Sequence, residues 1–188
     1  FEEFPKRIIP YNYDAYAKNS GRYEMVTTNC TTGCAEYFEE KSDPERIIDI
    51  VRASSSLPFV TPISYVDGRP MLDGGIADSI PVVRATEQGF DNCLVVLTRN
   101  AGYRKSAKPS FVPWFAYRRY PMLQEAIRHR NAEYNKQMEL VERLESEGRI
   151  TVIRPERPIE VGRMERDTHR LLVLYNEGYD IASKVEIG

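Results

Sequence analysis

Apolar and polar positions change period several times along the chain, and each change marks an element. Residues 22–29 (Arg-Tyr-Glu-Met-Val-Thr-Thr-Asn) are rich in β-branched and aromatic side chains and read as a strand. After the turn Thr31-Thr32-Gly33, residues 35–39 alternate like a second, partly exposed strand. The period then lengthens. Ile47, Ile48, Ile50 and Val51 form one helical face behind Ser42-Asp43-Pro44-Glu45, which sets a capping side chain ahead of Pro at the first helical position. Two apolar runs flank Asp67-Gly68, a dipeptide suited to a two-residue hairpin turn. Residues 79–88 read as a helix closed by Gly89, and the unbroken run Leu94-Val-Val-Leu-Thr98 as a strand buried on both faces. The longest helical pattern covers residues 122–147. Its stripe is Leu123, Ile127, Tyr134, Met138, Val141 and Leu144, and Gly148 follows. A strand is expected at 150–153 and a last helix at 165–184, interrupted or bent near Gly178. Residues 1–20, with Pro5 and Pro10, read as a connection carrying a short helix at 12–17.

Helix, glycine, apolar strand is the rhythm of an α/β fold, so a mainly parallel sheet flanked by helices is expected, in one domain over residues 1–188. Composition agrees. The chain has 188 residues, 41% hydrophobic and 29% charged, which suits a packed core rather than disorder. The formal net charge of -2 gives no support to a nucleic-acid partner. No apolar run approaches the roughly 20 residues of a membrane span. Three cysteines, an odd count, argue against a disulfide framework and for a reducing compartment. Cys30 and Cys34 are too widely spaced for a zinc knuckle and lack a second pair, so both are placed at a strand end and Cys93 in the core.

Candidate chemistry concentrates in Leu72-Asp-Gly-Gly-Ile-Ala-Asp-Ser-Ile-Pro81. Asp73 closes an apolar run, and Gly74 and Gly75 let the backbone turn where a side chain would clash. Asp78 or Ser79 is positioned to cap the helix that follows. Taken alone, such a tripeptide is most simply a turn. Ser54-Ser55-Ser56 lack the bracketing glycines of a nucleophile elbow and read as small residues that let a helix end approach the sheet. His129 and His169 fall inside helical patterns beside arginines, unlike the loop histidine of a triad. Trp114-Phe-Ala-Tyr-Arg-Arg-Tyr-Pro121 interleaves aromatics with arginines. Arginines lying over aromatic faces at a loop–core interface account for it most simply. A phospholipid headgroup or membrane surface is the functional alternative, and stacking on nucleic acid a third.

Taken together, Tyr23-Glu-Met-Val-Thr-Thr-Asn-Cys-Thr-Thr-Gly33, Ala53-Ser-Ser-Ser-Leu-Pro-Phe59, the Asp73-Gly74-Gly75 stretch and Asn92-Cys-Leu-Val-Val-Leu-Thr-Arg99 resemble the C-terminal two-thirds of a bacterial patatin-like phospholipase. The resemblance implies that Asp73 pairs with a serine in a G-x-S-x-G elbow as a catalytic dyad, and that a glycine-rich loop holds the oxyanion. Neither of those motifs occurs in these 188 residues. The expectation is therefore a patatin-like α/β domain truncated on its N-terminal side, the C-terminal part of a serine lipid acyl hydrolase and inactive by itself. The resemblance further implies a lipid ester or phospholipid substrate, no cofactor and no metal. Placement is expected in the cytoplasm with peripheral membrane contact, and self-association is an option where deleted strands expose sheet edges. The alternative is a catalytically inactive lipid- or protein-binding module of the same fold.

Overall fold

The computed structural model describes residues 10–90, 92–162 and 165–185. Two compact units account for them. The first holds the residues through Ile80 together with Ser106–Tyr134; the second holds Pro81–Lys105 and the residues from Asn135 onward. The expected connection ahead of residue 10, Pro5 included, lies outside the described residues.

The first unit opens with the short helix α1, Tyr13–Lys18, whose first turn is capped by the Asn12 side chain. Four strands follow: β1 (Met25–Asn29), β2 (Ala35–Phe38), β3 (Ser64–Val66) and β4 (Arg69–Asp73). They form one sheet in the order β2-β1-β4-β3, and every neighbouring pair is antiparallel. Asp67 and Gly68 both take left-handed backbone, φ 52° and 74°, as a tight two-residue β3–β4 turn requires. Helix α2, Pro44–Ser54, sits between β2 and β3. Asp43 caps it by accepting from the amides of Glu45 and Arg46, and Pro occupies the first turn. Its buried Ile47, Ile48 and Ile50 are each worth roughly 1.5–3 kcal/mol in transfer terms, an upper bound for a compact unfolded chain.

Successive residues of β4 serve different cores. Met71 packs with Met25, Phe38, Ile50, Ala53 and Val66. Leu72 packs with Cys30, Ile76, Val112, Leu123 and Ile127. Period-two alternation sends neighbouring side chains to opposite faces of the strand, and here both faces are covered. Leu123 and Ile127 belong to α4, Pro121–Ser146, a 26-residue helix. All six positions of its expected apolar stripe are buried.

In the second unit, β5 (Cys93–Val96) and β6 (Ile150–Ile153) form a two-stranded parallel sheet. Helix α3 (Val82–Glu87) precedes it and α5 (Thr168–Ala182) follows it. Gly89 and Gly148 follow α3 and α4 with φ 82° and 68°.

The architecture is mixed α/β. The expected mainly parallel arrangement holds for β5 and β6, whereas the larger sheet is antiparallel throughout. The misleading signal was the run at 94–98. Its strand is not buried on both faces, because Leu94 and Val96 are exposed and alternate with half-buried neighbours. Cys93, expected in the core, is half-buried. Helix α5 runs unbroken through Gly178, and none of its residues is buried. Among the described residues no helix is long and apolar enough to cross a membrane.

Candidate active site

Asp73 is the last residue of β4, and the chain turns at once into a 3-10 turn, Gly74–Ile76. The cap expected at Asp78 or Ser79 for the following helix is not formed, and Asp73 instead caps the turn that follows it. Its Oδ1 accepts from the Gly75 amide at 2.7 Å, the N-cap geometry that satisfies an otherwise orphaned donor. Helix α3 begins behind Pro81 with no side-chain cap. Asp78 instead accepts from the Tyr37 hydroxyl at 2.6 Å, and the Ser79 hydroxyl donates to the Gly75 carbonyl at 2.8 Å. Asp73, Gly74 and Gly75 thus share one turn, with the Asp73 side chain half-buried at its head.

The two glycines serve different ends, and neither takes left-handed backbone. A Cβ on Gly74 would lie 2.6 Å from the Val26 carbonyl carbon and 2.9 Å from Val26 Cβ, with the carbonyl oxygen closer still. The turn crosses β1 where only hydrogen fits. A Cβ on Gly75 would meet chiefly the Asp73 carboxylate, at 3.0 Å. Gly74 permits the fold of the turn, and Gly75 leaves room for the carboxylate.

Thr28, which sequence reasoning did not single out, and Ser56, read there only as a small residue at a helix end, brace this turn. The Thr28 hydroxyl, buried in β1, donates to the Asp73 carbonyl at 2.8 Å and accepts from the Ala77 amide at 3.2 Å. The Asp73 amide donates to the Ser56 carbonyl at 2.9 Å. Ser56 is buried, and its hydroxyl bonds Arg52 O at 2.8 Å and Ser64 Oγ at 2.9 Å. The end of α2 therefore does approach the sheet through small residues, at the strand end that carries Asp73. Nothing local in the sequence marks Thr28, since its role depends on the β1–β4 register that places it opposite Leu72.

The remaining candidates lie elsewhere. His129 is exposed on α4 and pairs with Glu125 at 2.8 Å. His169 is exposed in the first turn of α5. Cys30 is fully buried, and burial pushes its thiol up to about 12, while Cys34 is exposed. Among the described residues no group of three or more His, Cys, Asp or Glu is placed to hold a metal ion. A charged cluster sits at the β3–β4 turn. Arg46 reaches Asp67 at 2.9 Å and Glu40 at 2.7 Å, and Arg69 pairs with Glu36. Hydrogen bonds from Arg46 hold Asp67 below the usual carboxylate range. Glu40, bonded first by the Ser42 amide and hydroxyl and then by Arg46, is lowered to about 2.

The span containing the Asp73 turn has a recognisable relative among protein families. Residues 8–86 match the patatin-like phospholipase family model. That span holds β1 to β4, α2 and the whole Asp73-Gly74-Gly75 turn. Residues 120–185 match a second model, a domain of unknown function, DUF6363. The chain is also similar to the uncharacterized protein YjjU of Escherichia coli (strain K12), with 29% identity over 115 residues, 60% of this chain. It spans about a third of that relative's length, 32%.

Proposed function

We propose that the chain is part of a lipid acyl hydrolase in which Asp73 is the general base of a Ser-Asp dyad, with the nucleophilic serine outside these 188 residues. The observation that carries this reading is the placement of Asp73. Within the span matched by the patatin-like phospholipase model, it stands at a strand end, half-buried, with one carboxylate oxygen oriented by the Gly75 amide. In this reading the serine gives its proton to Asp73 as its oxygen attacks the ester carbonyl. Asp73 then protonates the leaving alcohol and activates water against the acyl-enzyme. Backbone amides of a glycine-rich loop, also outside these residues, hold the oxyanion, at about 3 kcal/mol per donor.

Asp73→Asn tests the base cleanly. Asparagine keeps the acceptor that caps the turn, so the fold survives while the proton acceptor is lost. In the whole protein, hydrolysis of a short-chain nitrophenyl ester should fall by about 10²–10⁴-fold, with an unchanged circular dichroism spectrum. Retention of more than a few per cent of activity would remove Asp73 from the role.

A further inference from the structure

Two segments of the first unit expose large apolar side chains beside the Asp73 turn. One is the loop at residues 57–61, which leaves Ser56, the acceptor for the Asp73 amide, and exposes Phe59 and Val60. The other is residues 111–119, where Phe111, Trp114 and Phe115 are 84%, 76% and 64% exposed. They are not loose ends. Val112 is buried with Leu72 and Ile76, the residues that flank the Asp73 turn, and the Gln124 side chain holds the Ala116 carbonyl at 2.7 Å. The segments are joined to each other. The Phe59 amide donates to the Tyr117 hydroxyl at 2.8 Å, and their rings lie 5.3 Å apart. Phe59 and Tyr117 both take left-handed backbone, φ 66° and 55°, a strained state for aromatic residues that surrounding structure must impose.

The charge on these segments is one-sided. Residues 55–63 and 106–119 contain Lys108, Arg118 and Arg119 and no Asp or Glu, in a chain with 28 acidic and 26 basic residues. Arg118 lies over the Trp114 ring, 5.5 Å from its centroid, so a cation and an indole are presented together. An anchored aromatic ridge with cations and no anions matches the chemistry of an anionic bilayer interface, where Trp rings sit at headgroup depth and Arg meets phosphate.

We propose that this ridge docks on the surface of an anionic lipid bilayer, next to the Asp73 turn. The delivery of ester substrate that this serves rests on the hydrolase reading; the docking itself is measured apart from it. Trp114 is the single tryptophan of the chain, so intrinsic fluorescence reads the ridge directly. Adding phosphatidylcholine vesicles that contain phosphatidylglycerol should shift the emission to the blue, and bromine-labelled acyl chains should quench it. The effect should weaken with salt and with pure phosphatidylcholine. Phe111→Ser with Phe115→Ser, which keeps the reporter, should weaken partitioning by about tenfold or more. Arg118→Gln with Arg119→Gln should cost on the order of fivefold per charge, on anionic vesicles only. Emission that ignores both kinds of vesicle overturns the proposal. So does a shift that depends on protein concentration without lipid, which would mean that a second copy covers the ridge. In the whole protein, hydrolysis of a soluble short-chain ester by the ridge variants should match the parent. Failure of vesicle binding with that activity intact would therefore overturn docking and leave the hydrolase reading standing.

Discussion

Gly74→Ala isolates the close approach on which the Asp73 turn depends. The added Cβ would fall 2.6 Å from the Val26 carbonyl carbon, a distance real Cβ atoms do not show. Relief requires either strand to move. Val26 is paired with Tyr37 of β2, so β1 cannot recede without loosening that ladder. On the other side, Leu72 and Ile76 anchor the turn in a filled core. Overpacking of this kind costs about 1–3 kcal/mol, and contact with backbone puts Gly74 at the upper end. The smaller conformational entropy of alanine in the unfolded chain offsets about 0.4–1 kcal/mol. The net loss is about 2 kcal/mol, which for a chain of this size lowers the melting temperature by roughly 4–8 °C. Thermal melts followed by circular dichroism, with urea midpoints as a second measure, read it. Gly75→Ala is the control, because its Cβ meets the Asp73 side chain rather than backbone. It should change stability by less than about 1 kcal/mol while disturbing the carboxylate, and so the whole protein's hydrolysis. A Gly74→Ala protein that melts with the parent, or a Gly75→Ala protein that melts lower than it, would refute this division of roles.

Two further outcomes follow from the electrostatics. Cys30, buried and with its thiol pushed up to about 12, should resist alkylation in the folded protein, whereas the exposed Cys34 should label at once; mass spectrometry with and without urea distinguishes them, and prompt labelling of Cys30 would contradict its burial. Glu40, held at about 2 by Ser42 and Arg46, contributes stability that is present above the ordinary carboxylate range near 4.5 and lost as pH falls through about 2. Urea midpoints should therefore decline over that window, and Glu40→Gln should flatten part of the decline; parallel curves for parent and variant would remove Glu40 from the acid sensitivity.

What was legible in the sequence was local. The Asp67-Gly68 turn, the Asp43 cap with Pro44 and the stripe of α4 each announce themselves within a few residues, and all three stand in the structure. What failed depended on distant partners. The apolar run at 94–98 carries no information on which strand will pair with it or what covers its faces, so neither burial on both faces nor a mainly parallel sheet follows from it. Asp78 looked like a helix cap because its neighbours allow it. Its carboxylate is engaged instead by Tyr37, 41 residues away in sequence. Thr28 and Ser56 were invisible as supports for the same reason, since the bonds they make with Asp73 exist only after β1, β4 and the end of α2 have come together.

That dependence bears on how well Asp73 is held. A general base must keep its carboxylate within a few tenths of an ångström of the productive position, and a residue at a strand end is ordinarily free to fray. Here the preceding two side chains of β4 enter two separate cores, Met71 on one face and Leu72 on the other. The Asp73 amide is tied to Ser56, its carbonyl to Thr28 and its carboxylate to Gly75. Backbone and side chain are thus fixed by three different elements, and fraying would have to break all of them together. Such a brace exceeds what a surface turn needs to close. It suits the general-base role proposed for Asp73, which needs the carboxylate held at a fixed position. The glycine that allows the turn to cross β1 is part of the same brace, because a Cβ there would meet the Val26 backbone.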